Sequence, residues 1–366
     1  MGEDDAVLAL TPAHIAVLAR PSLRLGAAPA ALRRFLGRAA AAREECSRDE
    51  TQECEDTESK HAFERTGLLE ALAGRYPGSM SLVSERVGQV FVDGWRLELT
   101  EYGAGDRWVV LLHGQLMPRR MHEPLARALA AAGNHVVTLD LLGHGRSDRP
   151  DDPLLYSMTA FAEQVVHVLD ELGAEQAVVG GTSLGANVAL EVAALAPSRV
   201  RALLVEMPVL DNALDACLVA FSPLMFAARY APVSVHLVRR AIALVPRRVV
   251  PFWGGIVLDT LSQQPGPMAA TMHGLLFGRI APPAHVRESL DMPALVVGHP
   301  HDPIHPAADA AMLAEELPDS RFVASRSILE WRFSPERLNA VAADFCAEVW
   351  RTSTNGASGA RRLSAG

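Results

Sequence analysis

Ala177-Val178-Val179 is an apolar run, Gly181-Thr182-Ser183-Leu184-Gly185 follows it almost at once, and Ala186-Asn187-Val188-Ala189-Leu190-Glu191-Val192-Ala193-Ala194-Leu195 then reads as a helix. Strand, tight turn and helix in that order form a nucleophile elbow. Glycines on both sides let the backbone turn sharply enough to lift the Ser183 hydroxyl clear of a sheet edge. The helix N-terminus next to it offers unpaired N–H groups to a developing anion. Glycine-x-serine-x-glycine recurs by chance in chains of ordinary composition, so the weight rests on the flanking strand and helix.

Working outward, Trp108–Gln115 reads as a strand running into a His113-Gly114-Gln115 loop. Val136–Asp148 reads as a strand ending in the glycine turn Gly143-His144-Gly145. Ala294–Pro306 reads as a late strand delivering Asp302 in Asp302-Pro303-Ile304-His305-Pro306. In this order the segments resemble the α/β-hydrolase superfamily, over most of the chain from about Val83 to Trp350. The resemblance implies an α/β fold, a mostly parallel sheet flanked by helices with an inserted helical cap. It also implies Ser183 as nucleophile, Asp302 as the acid, and the backbone N–H groups of Gln115 and Leu184 as the oxyanion hole. Glu206 and Asp211, after the strand that follows the elbow helix, are backup acids because some relatives place their acid there.

One departure outweighs these matches. The family has a histidine shortly before a C-terminal helix, here marked by Pro335-Glu336, and counting back lands on Ser327-Ile328; no histidine follows His305 anywhere in the chain. Serine is a poor nucleophile until a base takes its proton and a third group orients that base. His305 is the candidate substitute: a turn would bring it to Asp302 three residues earlier, and a neutral imidazole suits the task. A helix-capping or solvent role for His305 is the alternative. His113 and His144 read as braces of the loops around the site, His122 as a solvent or cap contact, and His299 as a packed core histidine. Metal binding by His299, His301, Asp302 and His305 fits on ligand type alone, and the family match argues against it. No metal or cofactor is expected.

The 366 residues carry 34 basic and 43 acidic side chains, a net charge of −9 without a basic stripe, which argues against nucleic acid as a partner. Cys46, Cys54, Cys217 and Cys346 share no metal-ligand spacing, and the acidic start Met1-Gly2-Glu3-Asp4-Asp5 is unlike a secretory signal. A cytoplasmic location is the expectation. Asp215 and Arg229 bracket the longest apolar candidate, so no membrane span is expected.

Along the chain we expect an N-terminal helical segment (1–43), an acidic disordered linker (44–60), a first core part (61–209), a helical cap (210–288), a second core part (289–351) and a disordered tail (352–366). The cap follows from about eighty residues between two strands that need far less crossover. Its apolar content, as in Leu218-Val219-Ala220-Phe221, suits a roof over an apolar substrate or packing on the core. The expected activity is hydrolysis of an ester or thioester, with a small apolar ester-like molecule as partner. The competing reading is a catalytically impaired or non-hydrolytic binding or structural module on the same scaffold, because function resides in the site.

Overall fold

The computed structural model describes residues 83–360. The expected helical segment 1–43 and linker 44–60 lie outside the described residues. A hairpin opens the sheet: β1 (Glu85–Val92) and β2 (Trp95–Tyr102) pair antiparallel from Val92 opposite Trp95 to Glu85 opposite Tyr102. Asp93 and Gly94 between them take φ of 50° and 83°, as a two-residue hairpin turn demands. Then come β3 (Trp108–Leu112), β4 (His135–Leu139), β5 (Ala177–Thr182), β6 (Val200–Glu206), β7 (Ala294–Gly298) and β8 (Ser320–Ala324). The eight strands lie in the order β1-β2-β4-β3-β5-β6-β7-β8, and every pair from β4 onward is parallel.

Strand alternation divides the apolar side chains between two faces. Val110, Leu112, Val179 and Val205 belong to one core with Phe161 and Val165 of α2 (Met158–Glu171), Leu190 of α3 (Leu184–Leu195) and, further along the chain, Leu313. Val109, Leu111, Val178 and Leu204 belong to the other with Leu125 and Leu129 of α1 (Glu123–Ala131) and with Leu338 and Phe345 near the C-terminus. Both faces being covered explains why these strands read as continuous apolar runs.

Between β6 and β7 lie α4 (Leu214–Tyr230), α5 (Pro232–Ala243), α6 (Phe252–Leu261), α7 (Pro265–Leu276) and the short α8 (Ala284–Arg287). After β7 come α9 (Ala307–Glu316), the single-turn α10 (Glu330–Phe333) and α11 (Glu336–Ala360). The last helix thus runs past Thr352, where composition places the start of the tail. A helix whose first turns are packed extends at one further hydrogen bond per residue, so weak composition need not stop it.

Candidate active site

At the carboxyl end of β5 the chain reverses into α3 through Ser183, whose φ of 55° and ψ of −112° no ordinary helix or strand residue adopts. Such backbone costs about 1–3 kcal/mol and persists only where its surroundings impose it. They do so here. A Cβ at Gly181 would lie 2.4 Å from the Leu112 carbonyl oxygen, and one at Gly185 2.1 Å from the same atom. The turn is therefore pressed against the end of β3, where only glycine fits on either side of the serine.

His305 reaches this serine from the loop after β7. Its Nε2 lies 2.8 Å from Ser183 Oγ and its Nδ1 3.2 Å from Asp302 Oδ2. The second carboxylate oxygen of Asp302 accepts the backbone N–H groups of Ile304 at 2.8 Å and His305 at 2.9 Å. The loop is thus a carboxylate turn that folds three residues back and presents the imbedded histidine to the elbow. Burial by itself raises the Asp302 carboxyl, but the hydrogen bonds from the His305 ring and from the two backbone amides outweigh it and hold the group below its ordinary value. An acceptor-only carboxylate beside Nδ1 leaves Nε2 facing Oγ as the acceptor.

Gln115, Ser183 and Leu184 line one small cavity of about 60 Å³ together with Cys217 and Phe221 of α4 and Met272 of α7. Leu184 is the first residue of α3, so its N–H has no partner within the helix. The Gln115 carboxamide is held between the His144 ring at 3.3 Å and Thr271 Oγ1 at 3.5 Å. Burial pushes the Cys217 thiol up to about 11, leaving it protonated and an apolar wall component.

Three further histidines are bonded to backbone groups. His113 accepts the Leu141 N–H at Nε2 (3.1 Å) and donates from Nδ1 to the Gly114 carbonyl (2.9 Å), tying the ends of β3 and β4 together. His144 donates to the Leu142 carbonyl. His122 differs from expectation: it is buried at the start of α1 and donates to the Leu112 carbonyl at 2.9 Å rather than meeting solvent or the inserted helices. A strand-end carbonyl needing a donor explains the inward turn. Burial lowers all three rings, His122 to about 4 and His144 well below its ordinary value.

Glu206 lies behind the elbow. Its carboxylate accepts from Thr182 Oγ1 (2.5 Å) and Arg332 (2.7 Å) and faces His299 Nε2 at 3.0 Å, while its backbone carbonyl accepts the Ser183 N–H at 2.9 Å. Burial opposes ionisation there, yet the Arg332 guanidinium and the His299 hydrogen bond hold the carboxyl well below the usual range. Glu206 is thereby committed to its own ion pair, and Asp211 is exposed. On the far side of His299, Nδ1 meets Ser325 Oγ at 2.9 Å and the Ser327 carbonyl at 3.2 Å, so the segment next to Ile328 is bound to that network. Glu330 pairs with Arg337 at 2.7 Å. Among the described residues no group of three His, Cys, Asp or Glu side chains converges as a ligand set.

Sequence reasoning passed over three further residues. Asn187, buried in α3, binds the Val209 backbone through both ends of its amide and the Ile280 carbonyl, joining the elbow helix to the inserted helices. Asp309 in α9 is fully buried and accepts four hydrogen bonds, from the backbone N–H groups of Leu210, Asn212 and Ala213 and from the Asn212 amide. Arg332 holds Glu206. The available signal was a single polar residue within an apolar or alanine-rich helix, as at Ala186-Asn187-Val188 and Ala308-Asp309-Ala310.

The family model described as alpha/beta hydrolase fold matches residues 107–327. The chain belongs to this family. It is 28% identical over 241 residues to a putative carbamate hydrolase, RutD, of Azorhizobium caulinodans, a match covering 62% of this chain and 86% of that one. It is 33% identical over 144 residues to a haloalkane dehalogenase of Mycolicibacterium paratuberculosis, covering 37% of this chain and only 48% of the dehalogenase. Among solved structures, the enol-lactonase of Burkholderia xenovorans LB400 aligns with a TM-score of 0.59 at 20% identity, covering 71% of this chain and all of that one. That likeness is one of fold.

Proposed function

We propose that the protein is a serine-dependent hydrolase of carboxylic esters or thioesters with an apolar acyl or alcohol part, working through a base drawn from the acid loop. The observation that carries this reading is His305 Nε2 at 2.8 Å from Ser183 Oγ with Nδ1 facing Asp302. Nucleophile, base and orienting carboxylate stand in the relation that acyl transfer requires. The names of its relatives, a carbamate hydrolase among them, accord with hydrolysis.

In the mechanism that follows, His305 removes the Ser183 proton as Oγ attacks the carbonyl carbon, and the N–H groups of Leu184 and Gln115 receive the negative oxygen. The imidazolium, stabilised by Asp302, returns that proton to the leaving alkoxide or thiolate, which departs. Water, deprotonated by the same ring, then attacks the acyl-serine and frees the acid with Ser183 restored. A fixed strained serine needs no reorientation at the moment of attack, which favours its rate. The apolar cavity beside it, about 60 Å³ as it stands, is far below the ~300–1,000 Å³ of ligand pockets in general. We therefore place a short apolar group there, with longer ones requiring displacement of α4 or α7.

The test is labelling by a fluorophosphonate together with turnover of p-nitrophenyl esters graded in acyl length. Both should occur in the intact protein and vanish in Ser183→Ala and His305→Ala. An intact, folded protein that neither labels nor turns over would refute the proposal, and labelling retained in His305→Ala would refute the base assignment alone.

A further inference from the structure

The helices between β6 and β7 carry an outer face that folding leaves uncovered. Val219 and Tyr230 of α4 are 76% and 75% exposed, Val233 and Leu237 of α5 are 70% and 61%, and Leu244 just beyond is 84%. Large apolar side chains left exposed on two successive helices suit an interaction site. Its charge says with what. Although the chain as a whole reads as having no basic stripe and carries a net charge of −9, from Leu214 to Val250 there are five arginines, 229, 239, 240, 247 and 248, against the single acidic residue Asp215.

Among the described residues two of these arginines are free of ion pairs, and Arg229 lies over the Tyr230 ring at 5.8 Å. Arg240 and Arg248 form no ion pair among the described residues, Arg239 donates to the Ser262 carbonyl, and Arg247 pairs with Asp259 of α6 at 2.9 Å. Arg239, Arg240 and Arg247 line a cleft of about 770 Å³ whose remaining wall includes Val233 and Leu237. Basic and apolar side chains therefore share one surface. Tyr230 stacks on Phe226 at 5.9 Å between ring centroids, an aromatic pair with an apolar body and a polar tip at the same edge.

We infer that this face docks on an anionic phospholipid surface, the apolar side chains entering the headgroup boundary while the arginines meet lipid phosphates. A protein partner would need acidic groups matched one by one, whereas a bilayer supplies diffuse negative charge and apolar depth together. Leu214–Tyr230 and Pro232–Ala243 have together the length and apolar composition of a span, but they meet at 102°, and no single helix among the described residues is long and apolar enough to cross a membrane. Two short helices bent so sharply suit a position in the interface plane. Helix α4 carries Cys217 and Phe221 into the cavity beside Ser183 and Val219 and Tyr230 outward, so one helix separates bilayer from cavity.

Docking itself does not depend on the proposed hydrolysis, and the test separates the two. The full-length protein is sedimented with vesicles of phosphatidylcholine alone and of phosphatidylcholine with phosphatidylglycerol. We expect binding to the mixed vesicles to be at least about tenfold the stronger and to weaken as salt rises. Ser183→Ala should bind like the parent. The double variant Arg240→Glu with Arg248→Glu, and separately Leu244→Asp, should lose about tenfold or more while keeping the parent's circular dichroism and ester turnover. The proposal is overturned if neither vesicle is bound, or if both variants bind like the parent. It is equally overturned if light scattering shows a dimer that Leu244→Asp dissociates, without vesicle binding.

Discussion

Hydrogen bonds join Ser183 to His305 and His305 to Asp302, three residues earlier in the chain, and the proposed relay runs along them. Ser183→Ala and His305→Ala should each lower kcat by about 10⁴–10⁶, the range for residues acting as a unit in such relays. Steady-state turnover of a short p-nitrophenyl ester measures it. Asp302→Asn should cost more than a hundredfold, because a carboxamide can present its NH2 to Nδ1 and turn the imidazole to the wrong tautomer. Because the Asp302 carboxyl is held below its ordinary value, its contribution to stability is present above the unfolded carboxylate range, near pH 4, and is lost as pH falls through the lower folded value. Above that range Asp302 is ionised, so in the proposed mechanism its charge is present throughout the neutral range.

Elements hold the relay in place from behind. Glu206→Gln should destabilise by about 3–5 kcal/mol, since Arg332 and the His299 site lose a buried anion, while kcat of the fraction that stays folded changes far less than in Asp302→Asn. Urea unfolding and turnover, measured together on both variants, decide which carboxylate serves the chemistry. A larger kcat loss for Glu206→Gln would reverse our assignment. Asp309→Ala removes the acceptor for four donors that pin the segment after β6 to α9, and should cost about 2–4 kcal/mol by the same melt. Gly185→Ala places a methyl 2.1 Å from the Leu112 carbonyl oxygen. Soluble protein with undiminished turnover from that variant would show that the elbow is not packed as described.

At the scale of the fold, three histidines among the described residues, His113, His122 and His144, are buried with depressed basicity, and this dictates a pH dependence of stability. Each takes its proton more readily when unfolded, so stability is complete above about pH 6.5 and declines as pH falls toward the folded values. With its folded value near 4, His122 alone should remove about 2 kcal/mol between pH 7 and pH 5. Urea midpoints across that interval measure it, and His122→Asn should flatten the slope by about one proton. The cavity makes a second prediction at this scale. Phe221→Ala should shift the preferred ester toward longer acyl chains, with kcat/KM for a medium chain rising about tenfold relative to acetate, on the order of one to two added methylenes accommodated.

The elbow and the succession of strands with their helices were legible in the sequence because each is local: glycine at a steric pinch, an apolar run, a strand followed by its helix. The absence of a histidine after His305 was equally a matter of sequence. Asp302 and His305 could be suspected of meeting, since a carboxylate turn acts over three residues. What the chain alone could not decide was that the His305 ring lies against Ser183, 122 positions earlier, because that distance depends on how β5 and β7 are spaced in the sheet by β6. Nor could it assign Glu206 to Arg332 and His299, or turn His122 inward to a strand-end carbonyl. Those pairings are made by burial, which compels every enclosed charge and polar group to find a partner among whatever residues the packed layers bring near.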